Sequence, residues 1–178
     1  QARTIALEQG FVNARKRDSQ DICFVPDGDY VRFMKEYTGK DYPAGDYLDL
    51  TGKVVGRHCG AVAYTLGQRK GLGLAMGAPV YVCGKDMPAN TVTVGPNEAL
   101  FSDRVKVRNV NWIPFDRPDS PIRAQAKLRY TPNTNPCTII PTETGAELHF
   151  DQPQRAPTPG QSAVFYDGDL VLGGGIIE

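Results

Sequence analysis

The C-terminal stretch AVFYDGDLVLGGGIIE, residues 163–178, decides how the chain is read. Ala163-Val164-Phe165-Tyr166 and Leu170-Val171-Leu172 are rich in residues that suit a pleated, half-buried surface. Asp167-Gly168 splits them with a type I′ hairpin signature. Gly173-Gly174-Gly175 either lets another segment approach very closely or permits a bulge. Working back from this hairpin, the same period of two recurs in AELHF (146–150), CTII (137–140), IRAQAKLRY (122–130), RVKVRNVNW (104–112), TVTVG (91–95) and VYV (80–82). Seven or eight short strands within about 100 residues, with no helical stretch between them, predict a small closed antiparallel barrel or sandwich. Closure removes the edges that an open sheet must guard.

Upstream of Pro79 the character changes. Residues 2–9 suit a helix end stopped by Gly10. A basic step, Arg15-Lys16-Arg17, is followed by polar turn residues 18–21 and by the short apolar run Ile22-Cys23-Phe24-Val25, closed by Pro26. Asp29 is placed to cap a helix carrying Tyr30, Phe33, Met34 and Tyr37 at helical spacing, with Gly39 closing it. Residues 46–57 predict a hairpin around Thr51-Gly52, and a short helix is expected near 60–65. Gly67, Gly71 and Gly73 bracket Gln68, Arg69 and Lys70 in a flexible, locally basic loop.

Composition bounds the function. The 178 residues carry 20 Lys+Arg against 20 Asp+Glu, which argues against a histone-like mode of binding but leaves room for a local cationic face. Residues 1–75 are net +2 and residues 76–178 net −2, a small asymmetry that agrees with a boundary near 75. A 40% hydrophobic fraction suffices for a core, so disorder of the whole chain is not expected. The four cysteines (23, 59, 83 and 137) form no C-x-x-C pair, and the two histidines are far apart, so ligand spacing predicts no structural zinc site. No apolar run is long enough to span a bilayer and no signal peptide is evident, so a reducing, intracellular, cytoplasmic setting with thiols is expected. The chain opens on Gln1 and runs straight into helix-like sequence, which reads as a cut inside a longer parent.

Four places invite chemistry. Cys23, flanked by Ile22 and Phe24, is either a small buried hydrophobe or a nucleophile. Arg15, Lys16 and Arg17 would favour its thiolate if the chain turns at 18–20, while Asp18 and Asp21 would oppose that. His58 next to Gly60 reads as a structural histidine or, less naturally, as the base of a Cys23–His58 pair; Cys83 and Cys137 read as core thiols. The loop Gln68-Arg69-Lys70 lacks the residue order of a nucleotide-binding P-loop but suits an RNA backbone, or is simply a solvated turn. On 122–130, alternation puts Ile122, Ala124, Ala126, Leu128 and Tyr130 on one face and Arg123, Gln125, Lys127 and Arg129 on the other. Three cations on one strand face call for solvent or an anion such as RNA phosphate. Gln161, on the rigid turn Thr158-Pro159-Gly160-Gln161, can donate and accept.

Taken together, DSQDICF (18–24), G-x-H-x-G (56–60), YTLGQRKGLG (64–73), KLRY (127–130), TPGQSAVFYDGD (158–169) and LGGGIIE (172–178) resemble the bacterial tRNA-specific 2-thiouridylase family, in the family's own order and along nearly the whole chain. The resemblance implies a mostly-β fold: a small α/β central domain, then an antiparallel six-to-eight-stranded β-barrel similar to domain two of elongation factors. It implies that residues 1–15 are a remnant of an N-terminal ATP-pyrophosphatase-type domain, 16–75 the central domain and 76–178 the barrel. The activity it implies is replacement of the 2-oxygen of wobble uridine 34 by sulfur, through an adenylated oxygen and a cysteine persulfide. On the family's motifs Cys23 would carry the persulfide. Its disulfide-forming partner cysteine and the loop holding ATP, with Mg²⁺, would lie in the parent's catalytic domain. Arg129, Tyr130 and Gln161, with Lys127, would contact RNA, and Gln68, Arg69 and Lys70 would lie near the tRNA or Cys23. Implied partners are tRNA and a persulfide relay protein or cysteine desulfurase. The other reading from the residues is an RNA-binding, translation-factor-like barrel without sulfur chemistry.

Overall fold

Two short helices lie in the first of two compact units, Gln1–Tyr42 and Pro43–Glu178. The computed structural model describes residues 2–12, 25, 29–130 and 133–178. Helix α1 (Ala2–Glu8) ends as its glycine demands. Gly10 sits at φ 72, and the N–H groups of Gly10 and Phe11 donate to the carbonyls of Leu7 and Ala6 at 3.0 and 2.9 Å. This two-bond closure satisfies carbonyls that the last helical turn leaves open. Helix α2 (Tyr30–Thr38) starts where the Asp29 carboxylate accepts the Arg32 N–H at 3.0 Å and stops at left-handed Gly39. Phe33 stacks with Tyr30 and Tyr37 at 6.4 and 5.7 Å between ring centres, the contacts that the helical spacing predicts.

The second unit holds two sheets. The smaller contains β1 (Gly45–Leu48), β2 (Val54–His58), β3 (Tyr81–Asp86) and β4 (Thr91–Gly95), in the order β2-β1-β4-β3. β1 and β4 run parallel and the other pairs antiparallel. Tyr47, Val82, Val92 and Val94 are buried against Ala61, Tyr64 and Leu72. Two expectations are corrected here. The strands at 80–82 and 91–95, taken from the sequence as the start of the barrel, belong instead to the small sheet: β4 pairs with β1, and β3 pairs with β4. Alternation marks a strand but carries no information on which backbone it will pair with. The helix expected at 60–65 is a single 3-10 turn, Ala61–Ala63, because Gly60 enters it at φ 121 and Tyr64 leaves it in extended conformation.

The expected hairpin at 46–57 forms, and Asp49 organises its turn. One carboxylate oxygen accepts from the Thr51 N–H at 2.8 Å, the Thr51 hydroxyl at 2.6 Å and the Lys53 N–H at 3.0 Å. The Thr51 hydroxyl bond, with the backbone bond from Lys53, holds this carboxyl below its ordinary pKa. A carboxyl depressed in the folded state adds stability above its unfolded value, and that stability is lost as pH falls through the folded value. Acid titration of Asp49→Asn is therefore expected to show a shallower loss of stability below about pH 4 than the wild type; an identical profile would remove Asp49 from the account.

The larger sheet is a closed barrel of six strands: β5 (Phe101–Trp112), β6 (Ile122–Lys127), β7 (Asn135–Pro141), β8 (Gly145–Arg155), β9 (Ser162–Asp167) and β10 (Leu170–Ile177). Its order is β10-β5-β8-β7-β6-β9, with every neighbour antiparallel. Ala126, Ile139, Leu148 and Phe165 are wholly buried at its centre. The glycine run does both things anticipated for it. Pairing of β10 with its neighbours shifts register around Gly173–Ile176, and a Cβ on Gly173 would lie 2.2 Å from the Asn111 carbonyl oxygen. The hairpin turn differs from the type I′ expectation. Asp167 pairs with Leu170, so the central residues are Gly168 and Asp169, and of these Gly168 alone has positive φ. That is the pattern of a type II′ turn, whose first central position takes glycine.

Candidate nucleic-acid interface

Strand pairing brings together two distant segments. β6 and β9 are antiparallel, with Gln125 opposite Tyr166 and Lys127 opposite Val164. The exit of β6 therefore lies beside the entry of β9. A groove of about 520 Å³ forms there, lined by Lys127, Arg129, Tyr130, Gln161, Ser162 and Tyr166 among others. The four barrel residues singled out from the sequence thus share one groove.

Each is held differently. The Lys127 ammonium lies 5.4 Å from the centre of the Tyr166 ring, a cation–π contact that keeps it beside the groove. Arg129 Nη2 donates to the Arg155 carbonyl and, at 3.3 Å, to that of Ala156. Gln161 is exposed on a braced turn: its N–H donates to Thr158 O at 3.2 Å, and its carbonyl accepts from the Ile177 N–H at 2.8 Å. Tyr130 is fully exposed, at 108%. This corrects its expected place on the apolar face with Leu128. Regular pairing of β6 ends at Lys127, and strand alternation orients side chains only while the pleat persists.

The cationic face is also smaller than alternation suggests. Arg123 forks onto Asp151, its Nη1 donating to Oδ1 at 2.7 Å and its Nη2 to Oδ2. Hydrogen bonding to Arg123 holds the Asp151 carboxyl below its usual range. The Arg123 charge is thus balanced from β8, leaving Lys127 and Arg129 at the groove. In the basic loop, the Gln68 amide is engaged at both ends: Oε1 accepts from the Thr65 N–H at 3.0 Å and Nε2 donates to Lys70 O at 2.9 Å. Gln68 shapes the loop, while Arg69 and Lys70 are exposed.

Cys23 and the Arg15–Arg17 step lie outside the described residues. His58 is buried, edge-on to Tyr47 and Tyr64 at 5.2 and 5.5 Å, and its Nδ1 accepts the Gly60 N–H at 3.0 Å. Burial lowers its pKa, so it stays neutral as a structural side chain. Cys137 is a core thiol, pushed up to about 11 by burial. Cys83 is half-buried and Cys59 exposed, its Sγ 3.4 Å from the Tyr64 hydroxyl. Among the described residues, no group of three or more His, Cys, Asp or Glu side chains could hold a metal ion. Sequence reasoning missed Tyr166 and Arg155. Tyr166 was recoverable from the alternation of β9, given the register; Arg155 carries no local signal.

Two family models cover most of the chain. The tRNA methyl transferase PRC-barrel domain matches residues 31–96, and the aminomethyltransferase beta-barrel domain matches residues 102–177. The break between them falls where β4 of the small sheet gives way to β5 of the barrel. Similar proteins include the tRNA-specific 2-thiouridylases MnmA of Geotalea uraniireducens, 48% identical over all of this chain and 48% of the relative, and of Acetivibrio thermocellus, 46% identical over all of this chain and 50% of the relative. That of Clostridioides difficile is 45% identical over 99% of this chain and 49% of its own length. The chain spans about half the length of the curated relatives it matches.

Proposed function

From the tRNA-specific 2-thiouridylase family, to which this chain belongs along its whole length, we propose that it is the sulfur-accepting and tRNA-contacting part of an ATP-dependent tRNA-uridine 2-sulfurtransferase. The substrate is the wobble uridine of tRNA. Its C2 carbonyl is a poor electrophile, and ATP makes the oxygen a leaving group as AMP. The residues that bind ATP and Mg²⁺ belong to the parent's catalytic domain. Cys23 carries the persulfide, delivered by a relay protein or a cysteine desulfurase. Its terminal sulfur bonds to C2 as AMP departs with the original oxygen. A second cysteine thiolate of the parent then attacks Cys23 Sγ, releasing 2-thiouridine and leaving a disulfide, so the atoms and electrons balance. The proposed setting, where tRNA is modified, is cytoplasmic. Among the described residues, no helix is long and apolar enough to cross a membrane.

The observation that carries the tRNA half of this reading is the groove, where a lysine, an arginine, an exposed aromatic ring and a glutamine converge. A cation for phosphate and a ring for an unpaired base are what single-stranded RNA takes from a protein. The test is the salt dependence of tRNA binding by the full-length parent. Lys127→Ala is expected to weaken binding and to reduce the slope of log K against log salt by about one. An unchanged slope would take Lys127 off the phosphate backbone.

A further inference from the structure

The groove and the basic loop are joined through two residues at the end of β8. Gly67, which opens the loop, packs directly on them: a Cβ there would lie 3.3 Å from Ala156 Cβ and 3.4 Å from Arg155 Nη1. The loop is also zipped to β3. The Gly67 N–H donates to Val82 O at 2.8 Å, and the Val82 N–H donates to Gln68 O at 2.9 Å. Tyr81, next to Val82, presents its ring to the Arg155 guanidinium, whose Cζ lies 5.4 Å from the ring centre. Arg155 Nε donates to Asn97 Oδ1 at 3.0 Å.

The groove is held by the backbone of the same pair, because Arg129 donates to the carbonyls of both Arg155 and Ala156. Ala156 is buried and left-handed at φ 49, and its N–H donates to Leu100 O at 2.7 Å. A non-glycine residue keeps such a conformation only where its surroundings over-determine it.

We propose that Arg155 is a positioning residue for tRNA, setting the spacing between the loop cations Arg69 and Lys70 and the groove residues Lys127 and Tyr130. The inference rests on the tRNA reading above. The side chain of Arg155 is engaged by protein, stacked on Tyr81 and bonded to Asn97, so its part is to join two contact points rather than to supply a third. When one ligand spans two contact points, the second contributes according to the stiffness of the connection between them. Loosening Arg155 then devalues the loop cations without removing either charge.

The experiment is a double-mutant cycle on tRNA affinity in the full-length parent. With Arg155 intact, Arg69→Ala plus Lys70→Ala is expected to lower affinity about 10-fold. In an Arg155→Gln background the same change is expected to cost less than about 2-fold. Tyr81→Leu keeps the charge at position 155 but removes the ring beneath it, and is expected to abolish the coupling likewise, which covers the case in which Arg155→Gln fails to fold. Equal losses in all backgrounds would overturn the positioning role while leaving the tRNA surface standing. No loss from the loop changes in the wild-type background would overturn the inference together with the loop's part in binding. If Lys127→Ala is also silent, the tRNA reading itself falls.

Discussion

Cys23→Ala in the full-length parent is expected to abolish 2-thiouridine formation while leaving tRNA affinity within about 2-fold of wild type. The two readouts separate because, in the proposed mechanism, the persulfide sulfur makes a bond to the base, whereas affinity would come from cations and stacking elsewhere. Removing the nucleophile of a covalent mechanism costs a factor of roughly 10⁶ in a well-studied protease, far beyond any packing effect. Arg15, Lys16 and Arg17 lie six to eight residues upstream and would favour the thiolate if the chain turns at 18–20, against the opposing charges of Asp18 and Asp21. Mass spectrometry of the parent after exposure to a sulfur donor is expected to find one added sulfur on wild type and none at position 23 of the variant. Full thiolation by Cys23→Ala would replace the sulfur-carrier reading with that of an RNA-binding barrel in which Cys23 is packing.

Tyr130→Ala is expected to weaken tRNA binding by about 5- to 150-fold with no change in thermal stability. A base stacked on an aromatic side chain is worth roughly 1–3 kcal/mol by alanine substitution, which converts to that range. The fold has no use for the ring: Tyr130 stands fully in solvent just past the end of β6, and substitutions at such positions shift stability by no more than about 0.5 kcal/mol. Tyr130→Phe keeps the π face and is expected to bind like wild type. If alanine and phenylalanine bind equally well, stacking is not the contact; if phenylalanine fails too, the hydroxyl carries it.

Features set by neighbours along the chain were legible without coordinates. Asp29 and Gly39 bound α2 because capping is a bond between residues three or four apart. The six barrel strands and their buried faces follow from a period of two, and the Gly168 turn follows from the need for positive φ, although its type required the register. The groove was half legible. Lys127, Arg129, Tyr130 and Gln161 stood out as residue types, but their convergence depends on β6 lying against β9.

What remained hidden has a common cause. The parallel pairing of β4 with β1, the Arg123–Asp151 fork and the stacking of Arg155 on Tyr81 each join residues 28 to 74 positions apart. No local pattern encodes such a partner. The sequence by itself determined that this chain is strand-rich, where its turns and caps fall, and which side chains could meet RNA or carry sulfur, since those are properties of single residues and their near neighbours. Tertiary structure alone decided which sheet each strand joins, which cations are already balanced and which residue links the loop to the groove, because long-range backbone pairing chooses among partners that local propensity leaves equivalent.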